Sequence, residues 1–237
     1  VRISGTAICR DYGGNMPRLS PLPGPTQVCP ELLDGRRVRG NLALERYDRL
    51  HLDGRRLIRS WLQRAWAQRE CAPEDTFEPF VFAWISFNGW AACITEMDRD
   101  REWLDALLVN SEIAEKFAQL KLGRAEGSPV SDHVRAFGEL WPIFRAQEIR
   151  RRGIYRRNED ERTAVVQQYL DAHLTEYQPK CWRRHADAGE RVPVDWPHTL
   201  EALYRVRCNL FHGEKAPHSE MDQRIVSTAF RVLVHFL

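Results

Sequence analysis

The chain has 237 residues, of which 43% are hydrophobic and 29% are charged, and its formal net charge is +2. These proportions are ordinary for a soluble globular protein, and a net charge so close to neutral excludes any argument about partners from bulk charge. No apolar run approaches the roughly 18 residues that a transmembrane helix needs, and the N-terminus lacks the apolar core of a secretory signal. We therefore expect no membrane contact.

The basic residues and the cysteines refine this expectation. Only four of the 35 basic residues are lysine, and the others are arginine, which suits bidentate contacts to phosphate and stacking on bases. A compositional bias of the source genome would explain the same excess. No two cysteines form a CxxC motif or share a zinc-ligand spacing, although Cys181 and His185 could donate two isolated ligands. We expect free thiols in a reducing cytoplasm, no metal and no cofactor.

The elements predicted along the chain are almost all helical. Residues 1–40 are rich in glycine and proline and predict an irregular N-terminal arm, and residues 41–70 predict one or two accessory helices, interrupted near Asp53 and Gly54. Residues 178–197 predict a connector that wraps the surface. Period-two alternation is nearly absent, so the fold class is all-α, a helical bundle. The predicted helices cover residues 41–69, 77–97, 101–120, 131–151, 158–177, 198–212 and 218–237.

The segment HTLEALYRVRCNLFHG, residues 198–213, places an arginine where a core residue is expected. At about 100° per residue, Arg207 falls in the middle of an apolar face formed by Leu200, Leu203, Val206, Leu210 and Phe211. A guanidinium there must be paired, or the face must border a cleft or a second subunit. His212 lies on another side and approaches Arg207 only if the helix ends or deforms before residue 212. Gly213 favours such an ending, because glycine readily adopts the left-handed conformation.

The R-x4-H spacing of Arg207 and His212 within YRVRCNLFHG resembles the signature of HEPN domains. These are α-helical bundles found in prokaryotic toxin, abortive-infection and CRISPR-associated ribonucleases. The run FEPFVFAWISFNGW resembles the helix that opens the bundle in one branch of the family, so the resemblance covers residues 77–237. It implies that Arg207 and His212 form a catalytic pair and that Asn209 is a supporting polar residue. Arg205 would give R-x6-H, also within the family's range; Arg207 is favoured because its place on the apolar face needs an explanation.

The resemblance implies metal-independent endonucleolytic cleavage of RNA, in toxin–antitoxin systems or antiviral defence. His212 would act as the base for attack by the 2′-hydroxyl, and Arg207 would hold the phosphoryl oxygens, giving 2′,3′-cyclic phosphate and 5′-hydroxyl ends. One arginine and one histidine make a sparse site, and the family usually joins two copies in one cleft. We therefore expect a homodimer, with an antitoxin or another defence-system protein as a further partner. The alternatives are a non-catalytic HEPN module that binds RNA, a nucleotide or a protein, and a plain helical scaffold.

Two further features have a functional and a structural interpretation. Asn88 lies within an apolar stripe and either orients the Arg207–His212 pair or forms a hydrogen bond between helices. The arginine-rich run at 145–162, together with Lys215, is either a track for RNA, on which Tyr155 stacks a base, or a solvated helix end and loop. The candidate RNA-binding residues are Arg150, Arg151, Arg152, Tyr155, Arg156, Arg157 and Lys215.

Overall fold

The computed structural model describes residues 32, 42–122, 129–140, 158, 160–161, 164–165, 167–168, 179–190, 192–213 and 215–237. Within these ranges the chain forms helices and turns and no β-strand, so the prediction of an all-α fold is confirmed. The predicted arm, apart from the buried Leu32, lies outside the described residues. So do most of the predicted helix at 158–177 and all residues of the arginine-rich run up to Arg157.

The helices are numbered here in chain order. They are α1 Glu45–Arg49, α2 Leu52–Ala67, α3 Phe77–Thr95, α4 Asp100–Leu108, α5 Ser111–Leu122, α6 Pro129–Glu139, α7 Cys181–Asp187, α8 Trp196–Phe211 and α9 Glu220–Phe236. A 3-10 turn at Pro73–Asp75 leads into α3. No helix among the described residues is both long and apolar enough to cross a membrane.

Two predicted helix boundaries are corrected by local capping. The first accessory helix breaks at Leu50, whose backbone is extended, and His51 accepts a hydrogen bond from the Asp53 amide to begin α2, so the break precedes Asp53. The helix predicted at 101–120 is two helices, because the Asn110 side chain accepts a hydrogen bond of 2.8 Å from the Ile113 amide. Asparagine favours such caps, and an apolar periodicity that continues across the break conceals them.

Residues 178–197 do not simply wrap the surface. They include α7, and the indoles of Trp182 and Trp196 are buried, with Nε1 donating 2.9 Å to the Pro193 carbonyl and 2.8 Å to the Leu107 carbonyl respectively. The correction has a simple cause: tryptophan buries a large apolar area once its N–H finds an acceptor.

The core surrounds α3, which buries Phe80, Trp84 and Phe87 and packs against α2 and α9. Helix α8 lies against α4, α5 and α9. Its first turn is deeply buried, with Trp196 stacked on Phe236 at a centroid distance of 4.5 Å, whereas Phe211 at its last turn is exposed. The two ends of α8 therefore stand in different environments, and both carry candidate functional side chains.

Candidate active site

Helix α8 has clear start and stop signals. Asp195 is the N-cap, and its carboxylate accepts a hydrogen bond of 3.1 Å from the His198 amide. At the other end Gly213 has φ 72°, the left-handed conformation predicted for it from the sequence. Arg207 and His212 both belong to this C-terminal end, which is the part of the helix that the core covers least.

Arg207 is explained by a partner inside the same chain. Its Nη2 atom lies 2.8 Å from Oδ2 of Asp100, the first residue of α4, and the two side chains are 23% and 29% exposed. Of the alternatives that the sequence left open, pairing is therefore the one observed. The ion pair lies at the edge of the core and not deep within it, because both partners keep part of their surface in solvent.

Aromatic rings complete the surroundings of Arg207. Its guanidinium carbon lies 4.9 Å from the ring centroid of Phe211 and 5.8 Å from those of Trp84 and Tyr204. A guanidinium stacks well on aromatic faces, so the apolar stripe solvates the cation instead of excluding it. The Nε atom of Arg207 is buried and has no hydrogen-bond partner within the described residues.

Tyr204 cannot act as a base in this cluster. Burial, followed by the charge of Cys208, the hydrogen bond to Cys208 and the charge of Asp100, raises the pKa of Tyr204 to about 12. The phenol therefore stays protonated at neutral pH, and it contributes a ring face and a hydroxyl group to the site.

His212 is exposed and follows the last residue of α8. Its amide still donates a 3.0 Å hydrogen bond to the Cys208 carbonyl, so the backbone remains helical up to that point. Five helical residues rotate by about 140° relative to their starting direction. Because the helix does not deform before residue 212, Arg207 and His212 diverge around its axis within one chain. Arg205, seven residues before His212, lies on nearly the same side of the helix as the histidine.

The supporting residues have mixed placements. Asn209 is buried. Asn88 lies one turn beyond Trp84 on α3, and its buried Oδ1 atom has no hydrogen-bond partner in the described part of the chain, so this atom makes neither of the contacts predicted for it. Lys215 is 12% exposed and is bound 2.5 Å from Oδ1 of Asp222, near the start of α9. The Lys215 ammonium is therefore paired and largely covered, so a phosphate would have to displace Asp222, and the RNA contact of Lys215 stays a prediction.

The proposed RNA track lies outside the described residues, from Arg150, Arg151 and Arg152 through Tyr155 to Arg156 and Arg157. The two isolated metal donors have other partners, since His185 Nδ1 lies 2.8 Å from Glu190 Oε2 and Cys181 Sγ lies 3.1 Å from His198 Nε2. Within the described ranges, no group of three or more His, Cys, Asp or Glu side chains could hold a metal ion.

Sequence reasoning missed Asp100, the counter-ion of Arg207. Nothing in the sequence connects residues 100 and 207, and only the packing of α4 on α8 brings them together. It also missed the group of Cys181, Asp195 and His198, although the i,i+3 spacing of Asp195 and His198 at a helix start is a visible capping signal.

Comparison with known proteins provides no further assignment. No family model, no curated protein and no solved structure matches the chain.

Proposed function

We propose that the chain is a metal-independent endoribonuclease of the HEPN type, acting in toxin–antitoxin or antiviral defence in the cytoplasm. The observation that carries the proposal is that Arg207 and His212 belong to the same end of α8 and that both reach solvent. A buried histidine, or an arginine paired deep in the core, could not contact the RNA and would exclude this reaction.

The two side chains supply complementary functions. His212 accepts the proton of the RNA 2′-hydroxyl as that oxygen attacks the adjacent phosphorus. Arg207 stabilises the charge that develops on the phosphoryl oxygens, because its planar guanidinium offers two parallel donors. The products are a 2′,3′-cyclic phosphate and a 5′-hydroxyl. DNA lacks the attacking hydroxyl and is not cleaved.

The divergence of the pair implies a second copy of the chain. Because the two side chains point about 140° apart, a single phosphate is reached by Arg207 of one protomer and His212 of another. The ion pair to Asp100 explains the position of Arg207 without an interface, so the dimer proposal depends on this divergence and on the sparseness of a site with one arginine and one histidine. We expect a dimer in sedimentation or light scattering at micromolar concentration, and a monomer there would contradict the composite site.

The test of the enzyme is an incubation of purified protein with RNA in the presence of EDTA. We expect cleavage with cyclic phosphate ends and a loss of about 100-fold or more in His212→Ala, the scale typical of removing a general base. His218→Ala is the matched control, since His218 is another exposed histidine in the turn region after α8. Cleavage that persists in His212→Ala would assign it to another site or to a contaminant.

Arg207 needs a control of its own because it also holds Asp100. Asp100→Asn removes the same ion pair but leaves the guanidinium in place. We expect Arg207→Ala to lose cleavage and Asp100→Asn to keep it. Equal losses in both variants would show that Arg207 matters only for folding, and a loss in Arg205→Ala alone would move the role to Arg205.

The ion pair also favours a second candidate function, a module that binds RNA without cutting it. Asp100 occupies the donor with which Arg207 would hold a scissile phosphate, so an RNA phosphate must compete with a carboxylate at 2.8 Å. In the same assay this candidate predicts bound, intact RNA. It also predicts that Asp100→Asn binds RNA more tightly than the unmodified chain, since the competing charge is gone.

A further inference from the structure

A cysteine, a histidine and an aspartate form a chain of contacts at the N-terminal end of α8. Sγ of Cys181, the first residue of α7, lies 3.1 Å from Nε2 of His198. Nδ1 of the same imidazole lies 2.5 Å from Oδ1 of Asp195. Cys181, His198 and Asp195 therefore have the arrangement of a nucleophile, a base and a group that orients the base. None of the three belongs to the Arg207–His212 end of the helix.

The hydrogen-bond network indicates which nitrogen of His198 carries the proton when the ring holds one. Oδ1 of Asp195 can only accept, and it does so from both the backbone amide and the imidazole Nδ1 of His198. The proton is thus assigned to Nδ1, and Nε2 is left with a lone pair facing the thiol. The Cys181 S–H donates to that lone pair, so transfer of its proton needs no rearrangement of the site.

Burial limits what the thiol can meet. Cys181 is 1% exposed and His198 is 3% exposed, whereas the Asp195 side chain is 24% exposed. In a hydrolytic triad the nucleophile faces the substrate, but here the carboxylate is the end nearest to solvent and the sulfur is the end farthest from it. Val194, which directly precedes Asp195, is also closely packed, since a Cβ on Gly138 would come within 2.4 Å of Val194 Cγ1. A peptide or an acyl substrate does not fit, and only a reagent of nearly the size of water reaches the sulfur through local opening.

We propose that Cys181 is an oxidation site, at which hydrogen peroxide converts the thiol to a sulfenic acid with His198 as proton acceptor and donor and Asp195 as its anchor. This proposal is independent of the ribonuclease proposal.

The step balances with peroxide as the only added reagent. Nε2 of His198 takes the thiol proton, the thiolate sulfur bonds to one peroxide oxygen, and the O–O bond breaks. The departing hydroxide takes the proton from Nε2 and leaves as water, and the remaining oxygen stays on Cys181 as S–OH. Sulfur loses two electrons and the peroxide is reduced by two.

Two other cysteines provide internal references. Cys71 and Cys93 are more exposed than Cys181. Burial raises the pKa of the Cys71 thiol, with Asp75 as the next cause, and burial likewise raises that of Cys93. The Cys181 thiol has an imidazole nitrogen 3.1 Å away to take its proton, and among the described contacts neither Cys71 nor Cys93 has one, so we expect these two to react more slowly despite their better access. Reactivity towards a small oxidant should therefore run opposite to exposure.

The experiment treats the full chain with hydrogen peroxide in the presence of dimedone, which traps sulfenic acids, and quantifies each cysteine by peptide mass spectrometry. We expect the Cys181 adduct to form about tenfold faster than those of Cys71 and Cys93. This is a modest part of the rate enhancement that a positioned base can supply. A bulky maleimide should give the reverse order, because access then decides. Equal or slower trapping at Cys181 with peroxide would overturn the proposal.

Two variants separate activation from folding. Asp195→Asn keeps a side-chain acceptor for the His198 amide, and therefore the helix cap, but removes the charge that anchors the imidazole. His198→Gln keeps a polar group but no base of useful strength. We expect both to lower trapping at Cys181 and to leave Cys71 and Cys93 unchanged. Unchanged trapping at Cys181 in a folded Asp195→Asn protein would overturn the role of Asp195 and His198. If His198→Gln does not fold, the order of the trapping rates of Cys181, Cys71 and Cys93 in the unmodified chain still decides.

Discussion

The two ends of α8 present the same residue type in opposite environments. His198 and His212 are 14 residues apart, so on one helix they lie within about 40° of each other around the axis. Yet His198 is buried between Asp195 and Cys181, whereas His212 is exposed beyond Phe211. Helical periodicity therefore does not decide which histidine is buried. The neighbours of each end decide, because residues of α4, α7 and α9 contact the first turn, whereas Phe211 in the last turn is exposed.

The ends also differ in how their charges are held. At the N-terminal end, the carboxylate of Asp195 is satisfied by groups three residues away along the same helix. At the C-terminal end, Arg207 depends on a carboxylate from another helix and on three aromatic rings. A local arrangement is visible in sequence spacing, and a long-range one is not. We expect substitutions at the N-terminal end of α8 to change mainly stability, and substitutions at its C-terminal end to change mainly activity.

The largest expected effect comes from Trp196→Ala. This indole is 1% exposed, donates 2.8 Å to the Leu107 carbonyl and stacks on Phe236. Removing it leaves a cavity and removes one of the hydrogen bonds to the Leu107 carbonyl, so we expect the free energy of unfolding to fall by about 3–5 kcal/mol, measured by urea denaturation.

The matched substitution at the other end is Phe211→Ala, at a ring that is 49% exposed. We expect a loss below about 1 kcal/mol, because little apolar surface is returned to water. If the two substitutions cost the same, the two ends are equally covered and the distinction between them is wrong.

The sequence was sufficient for the fold class and for the positions of most described helices, because apolar periodicity and the scarcity of strand signals are local properties. The left-handed Gly213 could be predicted for the same reason. The break at Asn110 was missed because the apolar pattern continues through it. The Asp100–Arg207 ion pair and the contact of Cys181 with His198 were missed because the partners are distant in sequence and only tertiary packing brings them close.

Gly213→Ala is expected to lower stability less than Trp196→Ala does, by an amount similar to the upper limit for Phe211→Ala. With φ at 72° and no atom within 4 Å of an added Cβ, the cost is purely conformational, about 1 kcal/mol by thermal or chemical unfolding. Gly213→Asn should recover part of it, since asparagine tolerates the left-handed region.

Gly189 offers a control near the other end of the comparison. It follows α7, has φ 69° and is equally open, so Gly189→Ala should cost a similar amount. Only Gly213→Ala should also lower RNA cleavage, because only Gly213 adjoins His212. An equal effect of both alanines on cleavage would mean that stability, and not the placement of His212, controls the activity.

The smallest expected effect concerns a third histidine, intermediate in burial between His198 and His212. His133 on α6 has its ring 5.5 Å from that of His235 on α9. Burial lowers the pKa of His133 below its ordinary value of 6.5, helped by His235 and Arg231 and opposed by Glu70 and Asp132. Between 6.5 and the lowered value, the unfolded chain binds a proton that the folded chain does not, so this group removes stability as the pH falls through that window.

We therefore expect His133→Gln to flatten the fall in the free energy of unfolding below about pH 6.5, measured by urea denaturation at a series of pH values. The change in slope stays small because His133 is only half-buried and water screens its charged neighbours. His218→Gln, at an exposed position, should leave the slope unchanged. A slope unaffected by His133→Gln, or an NMR titration of His133 at or above its ordinary pKa, would show that neither burial nor the α9 groups disfavour the charged ring. Burial would then not be what distinguishes one histidine of this fold from another.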